Sequence, residues 1–176
     1  AIEVDASNDP ATVDIASNTI TSDAADSGTG IAVESAVGDA IADINDGSID
    51  NVSTGVDAST NGFDGKYLNV TDVEMTNVGS NQGVIVSDSG GDSLDVVVVD
   101  GISVDGDGSS TVGVSVDDVA ADATIDVIDA SINASDVGVE FTGTAQAPDF
   151  VNVTGGTYSN IGSQAVDLST GGLTVG

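Results

Sequence analysis

Apolar and polar positions alternate along this chain in short bursts, and the bursts recur. A triplet with apolar ends appears as Val13-Asp14-Ile15, Ala42-Asp43-Ile44, Leu68-Asn69-Val70, Val97-Val98-Val99, Ile125-Asp126-Val127, Val151-Asn152-Val153 and Leu173-Thr174-Val175. Successive triplets end 29, 26, 29, 28, 26 and 22 residues apart. Five residues after each of the first six, another apolar residue follows: Ile20, Ile49, Met75, Val104, Ile132 and Tyr158. Then comes a small residue and a second alternating triplet, as in Gly30-Ile31-Ala32-Val33, Gly55-Val56-Asp57-Ala58, Gly83-Val84-Ile85-Val86, Gly113-Val114-Ser115-Val116, Gly138-Val139-Glu140-Phe141 and Ala165-Val166-Asp167-Leu168. Ala1-Ile2-Glu3-Val4 fits the same slot.

Alternation with period two predicts short strands with one buried face. A repeat of this length predicts one supersecondary unit per repeat, which buries its face only by stacking on its neighbours. The pattern resembles the right-handed parallel β-helix of the pectate-lyase-like superfamily. The resemblance covers essentially the whole chain and implies an all-β solenoid of about six to seven coils, each of roughly 25–29 residues. Residues 1–176 then form a single β-helix domain. Its first and last repeats are partial, as expected of a fragment or of a subunit with open ends that stack head to tail.

Asn51, Asn77 and Asn160 fall at one offset, seven residues after a triplet ends. Asparagine tolerates the left-handed backbone of a tight corner, and a stacked asparagine corner is similar to the asparagine ladders of that superfamily. The ladder is incomplete, because Ser22, Gly106 and Ala134 take this slot elsewhere. Ala36 to Ile44 and Val116 to Ala123 read as turns or brief helical excursions.

Composition then removes functions. Thirty acidic side chains face a single basic one, Lys66, for a net charge of -29. Nothing neutralises phosphates, so nucleic acid is excluded as a partner, and no apolar run is long enough for direct membrane insertion. Histidine and cysteine are absent, which removes the imidazole base, disulfides and the usual zinc ligands. Aromatic residues are 3% against 39% hydrophobic, so the core is built from Val, Ile, Ala and Leu. Self-repulsion of this size favours high ionic strength and resembles the acidic secreted and surface proteins of halophilic archaea or marine bacteria.

The chemistry left is sparse. Lys66, read as a loop residue, is the one base available to a lyase. Asp117-Asp118 offers two carboxylates, but the Gly-His-Gly and Arg-x-Lys segments of the polygalacturonase relatives are missing. No catalytic residue is assigned and the chain is expected not to be an enzyme. Calcium needs only oxygen ligands, and its candidates are Asp14 with Asp43 on adjacent coils, Asp105 with Asp107, Asp43 with Asn45 and Asp46, and Asp88 with Asp92. For the first pair, two solvated carboxylates screened by salt are the favoured account, and a bound cation the lesser one. No other cofactor is implied. Four glycosylation sequons begin at Asn51, Asn69, Asn133 and Asn152; the last three fall in outward slots, whereas Asn51 also serves the corner. Ile85 and Val98 are apolar where their equivalents are polar, which marks either a face covered by a loop or a lateral protein interface. The expectation is a non-enzymatic, extracellular structural or adhesive β-solenoid of a cell surface, filament or sheath. Its partners are further copies of itself, with surface glycans a second class. The alternatives are a carbohydrate-binding or polysaccharide-degrading β-helix portion lacking its catalytic coils, and a viral fibre.

Overall fold

The computed structural model describes residues 2–5, 12–23, 27–58, 63–79, 81–87, 95–107, 111–117, 123–133, 135–142 and 150–169, with the backbone alone at 5, 35–40 and 63–66. Everything regular in it is strand. After β1 (Ile2–Asp5), the chain repeats one cycle of three strands. The first cycle is β2 (Thr12–Ala16), β3 (Thr19–Thr21) and the start of β4 (Thr29–Asn45); the second is the rest of β4, β5 (Ser48–Asp50) and β6 (Thr54–Ala58). Then follow β7 (Phe63–Thr71), β8 (Glu74–Val78) and β9 (Gln82–Ser87); β10 (Val96–Asp100), β11 (Ser103–Gly106) and β12 (Val112–Asp117); β13 (Thr124–Ile128), β14 (Ser131–Asn133) and β15 (Val137–Thr142); and β16 (Phe150–Thr154), β17 (Thr157–Ser159) and β18 (Gln164–Leu168).

Equivalent strands of successive cycles pair in parallel, so three walls rise along one axis. Wall 1 holds the first triplets, wall 2 is the six-stranded sheet β17-β14-β11-β8-β5-β3, and wall 3 holds the second triplets. The long β4 continues from wall 3 into the next wall 1 and joins them into one twelve-stranded sheet. The protein is a parallel β-helix. About four turns are complete, with a coil on each side, against the six to seven coils expected, and these carry the fully buried core. The reading of Ala36 to Ile44 as a helical excursion is corrected, since this stretch lies inside β4. The branched and small residues there suit an extended chain wherever backbone partners lie on both sides. Lys66 likewise belongs to β7, not to a loop. Of Val116 to Ala123, residues 118–122 lie outside the described residues; Val116 and Asp117 end β12.

The core is a set of aliphatic columns. Ala42, Ile44, Leu68, Val70, Val97, Val99, Ile125 and Val127 project inward from wall 1, and Ile49, Met75, Val104 and Ile132 from wall 2. Val56, Val84, Val86, Val114, Val116, Val139 and Phe141 close the third side. In the outermost coil the inward residues Val166 and Leu168 are 36% and 37% exposed.

Among the described residues two corners turn the chain, and both use left-handed backbone. Between walls 1 and 2 this conformation recurs at one slot in every cycle: Ser17, Asp46, Asp72, Gly101, Asp129 and Gly155, with φ between 49° and 68°. Each of the first five also donates its N–H to a carbonyl of the next coil, as in Asp72 N to Asp100 O at 2.9 Å and Asp129 N to Thr154 O at 2.9 Å, so the ladder is not interrupted by the bend. Asp and Gly are residues for which this conformation is least costly. The second corner carries Asn51, Asn77 and Asn160 at φ 59°, 51° and 52°, as the asparagine spacing implies.

A glycine column explains the small residue before each second triplet. A β-carbon on Gly55, Gly83 or Gly113 would come within 2.5 Å of the carbonyl oxygen of the glycine stacked on it, and would strike Met75, Val104 or Ile132 from wall 2. Walls 2 and 3 approach here more closely than any side chain allows.

Candidate functional site

Alternation aims one residue of each first triplet away from the core, and the parallel register stacks them. The outward column of wall 1 runs Asp14, Asp43, Asn69, Val98, Asp126, Asn152. Neighbours in such a column are about 4.8 Å apart, close enough for side chains to bond from coil to coil. Asn69 Nδ2 donates to Asp43 Oδ1 at 2.9 Å, and Thr71 Oγ1 donates to Asn69 Oδ1 at 2.8 Å. Asn152 Nδ2 donates to Asp126 Oδ1 at 3.0 Å. Asp14 and Asp43 face each other as expected, and the Asn45 amide reaches both, at 3.3 and 3.4 Å. Like charges opposite one another oppose pairing; a shared amide donor relieves part of that.

Wall 2 repeats the device. Asp50 Oδ1 accepts from Thr76 Oγ1 at 2.7 Å and Asn77 Nδ2 at 2.8 Å, while Asn51 Nδ2 reaches its second oxygen at 3.3 Å. Three coils on, Asn133 takes the place of the aspartate. Its Oδ1 accepts from Ser159 Oγ at 2.9 Å and Asn160 Nδ2 at 2.8 Å, and its Nδ2 donates to Asp105 Oδ1 at 2.7 Å. The Thr76 hydroxyl, then the Asn77 amide, hold the Asp50 carboxyl below its ordinary range, because both bond to its charged form. The stabilisation is complete at neutral pH and is lost as pH falls through that lowered value.

Wall 3 carries a carboxyl shifted the other way. Its outward column reads Ala32, Asp57, Ile85, Ser115, Glu140, Asp167. Partial burial, with Asp167 and Asp117 nearby, pushes the Glu140 carboxyl up. Folding therefore favours its protonated form: that contribution is full below the ordinary carboxyl range and gone once pH has risen past the raised value. Glu140→Gln should accordingly raise stability at pH 7 by about 0.5 kcal/mol, a small value because solvent screens this side chain. The gain should shrink toward zero on acidification, as urea unfolding curves at several pH values would reveal.

The other expected positions distribute as follows. No three acidic side chains converge among the described residues. Asp105 is bonded to Asn133, and Asp107 Oδ1 to Thr111 Oγ1 at 3.5 Å. Asp88 and Asp92 lie outside the described residues. Ile85 and Val98 stand on different walls, each half-buried, and Ser115 beside Ile85 is outward yet buried. A cleft of about 240 Å³ at the first coil is lined by Ile20, Val52, Gly28 and the hydroxyls of Thr21, Ser22, Ser27 and Thr29, with no titratable group. No family model, curated protein or solved structure matches this chain. Function must therefore be argued from these ladders alone. Two structural features were not anticipated from the sequence: the Asp/Gly column of the first corner, whose signal was its fixed spacing, and the role of Asn45 between two acids.

Proposed function

We propose that this chain is a non-enzymatic, extracellular structural or adhesive β-solenoid of a cell surface, filament or sheath, associating end to end with further copies. The observation that supports this reading is the commitment of outward polar groups to one another. Asp43, Asp50, Asp105, Asp126, Asn69, Asn133 and Asn152 are engaged from coil to coil, not gathered around a shared point where a substrate would be held. A catalytic site needs groups converging within hydrogen-bond reach of one reacting atom. Ladders of this kind serve axial stiffness instead. The surplus of acid fits a saline exterior.

Electron microscopy of residues 1–176 in molar salt, with and without Ca²⁺, beside light scattering, tests this reading. Filaments with an axial repeat of roughly 29 Å, six coils at strand spacing, are the expected result. Clean monomers in both conditions would remove end-to-end association, and turnover of an acidic polysaccharide would overturn the non-enzymatic assignment.

A further inference from the structure

At the second corner one residue in each of five coils points inward, directly after the asparagine slot or, at Thr111, five residues beyond it. The positions are Val52, Val78, Thr111, Ser135 and Ile161, linked by backbone bonds such as Gly79 N to Val52 O, Asp136 N to Thr111 O and Gly162 N to Ser135 O, all within 2.9 Å. Three are aliphatic. Thr111 is fully buried, but its hydroxyl donates to Gly79 O at 2.7 Å. Ser135 is 2% exposed and, among the described residues, its Oγ has no hydrogen-bond partner. A buried hydroxyl without a partner opposes folding, and alanine or valine would avoid the penalty.

What that hydroxyl does supply is the third position of Asn133-Ala134-Ser135, an N-glycosylation sequon. The other sequon hydroxyls are otherwise occupied or open to water. Ser53 Oγ accepts from Asn81 Nδ2 at 2.6 Å, Thr71 Oγ1 bonds Asn69, and Thr154 is exposed. We propose that Asn133 is a glycan acceptor and that Ser135 is retained for the transfer, not for the fold. Asn133 is only half-buried, and its Nδ2 uses one hydrogen on Asp105 Oδ1, which leaves the second to be replaced. In the transfer, Nδ2 bonds to the anomeric carbon of a lipid-pyrophosphate-linked oligosaccharide. The anomeric C–O bond breaks with its electron pair leaving on phosphate, and one Nδ2 proton passes to a base of the transferase. The remaining N–H keeps the bond to Asp105. Because the Ser135 hydroxyl is enclosed in the finished coil, transfer precedes closure of that coil. The proposal rests on the extracellular placement proposed above, but not on whether the solenoid is a scaffold or an enzyme.

The chain would be translated with an export signal into membranes bearing an oligosaccharyltransferase, and separately offered, already folded, to the same transferase and donor. Site occupancy would be read by glycopeptide mass spectrometry. Asn133 should be occupied in the first arm and at least tenfold less in the second. Ser135→Thr should retain occupancy and Ser135→Ala abolish it. Unglycosylated Ser135→Ala should melt at or above the temperature of the unsubstituted chain. An empty Asn133 in the first arm, equal occupancy in both arms, or a Ser135→Ala melt several degrees lower would each overturn the proposal.

Discussion

Gly83→Ala should lower the unfolding free energy by about 3 kcal/mol, at the upper end of what overpacking a closed core costs. The new methyl would lie 2.5 Å from the Gly113 carbonyl oxygen and 2.8 Å from Val104 Cγ2. Neither neighbour can retreat. The carbonyl belongs to a backbone fixed by parallel pairing of β9 with β12, and Val104 is held in the middle of wall 2 with coils on both sides. Gly113→Ala meets the same geometry against Gly138 and Ile132 and should match it. Gly47→Ala is the internal control: its β-carbon would find Asn18 O at 3.5 Å and Val73 Cγ1 at 3.8 Å, ordinary contacts. That substitution should be neutral or stabilise by about 0.5 kcal/mol through the unfolded chain. Thermal melts of the three variants decide the matter. At roughly 2–4 °C per kcal/mol for a chain of this size, Gly83→Ala should melt about 6–12 °C lower. Equal behaviour of Gly83→Ala and Gly47→Ala would show that walls 2 and 3 do not approach as described.

The period made this fold legible before any coordinate. Triplets such as Leu68-Asn69-Val70 and Ile125-Asp126-Val127 present an apolar face in the residue spacing itself, and only stacking buries that face. Asn51, Asn77 and Asn160 were legible as a corner because asparagine is selective for left-handed backbone. The first corner was harder to see. Its column mixes Ser17, Asp46, Asp72, Gly101, Asp129 and Gly155, and in a chain with so many acids an aspartate announces nothing by itself. The glycines before the second triplets showed as small residues, yet their reason lies in the distance to another wall, which sequence spacing does not contain. The helical reading of Ala36 to Ile44 followed local propensity, and backbone pairing within β4 overrode it. At the candidate site, opposition of Asp14 and Asp43 followed from register, whereas the Asn45 amide between them depends on side-chain reach. Ser135 could not be singled out from its sequon, because burial and the lack of a partner are properties of the closed coil.

In dilute buffer this solenoid should be far less stable than in molar salt, with the melting temperature rising by tens of degrees between about 10 mM and 2 M NaCl as the Debye length falls from about 30 Å to below 3 Å. The acids are not spread evenly through a large volume: 30 of them decorate a 17.1-kDa chain, and the parallel register stacks several in line, as at Asp14 with Asp43 and Glu140 with Asp167. Two unit charges about 5 Å apart in water repel by nearly 1 kcal/mol, and each carboxylate has several neighbours within an unscreened Debye length. Amide donors such as Asn45, Asn69 and Asn77 offset the closest contacts, but they cannot cancel the net charge of -29. A hydrogen bond acts over one contact, whereas repulsion sums over the whole surface. Circular dichroism melts across NaCl and KCl series, with sucrose as an uncharged control for general stabilisation of the compact state, would separate screening from solvent exclusion. A rise in both salts that saturates once the Debye length is shorter than the strand spacing, without a like rise in sucrose, is the expected result. Identical melting in dilute and molar salt would mean that the ladders by themselves neutralise the stacked acids, and the link between charge and a saline habitat would fall with it.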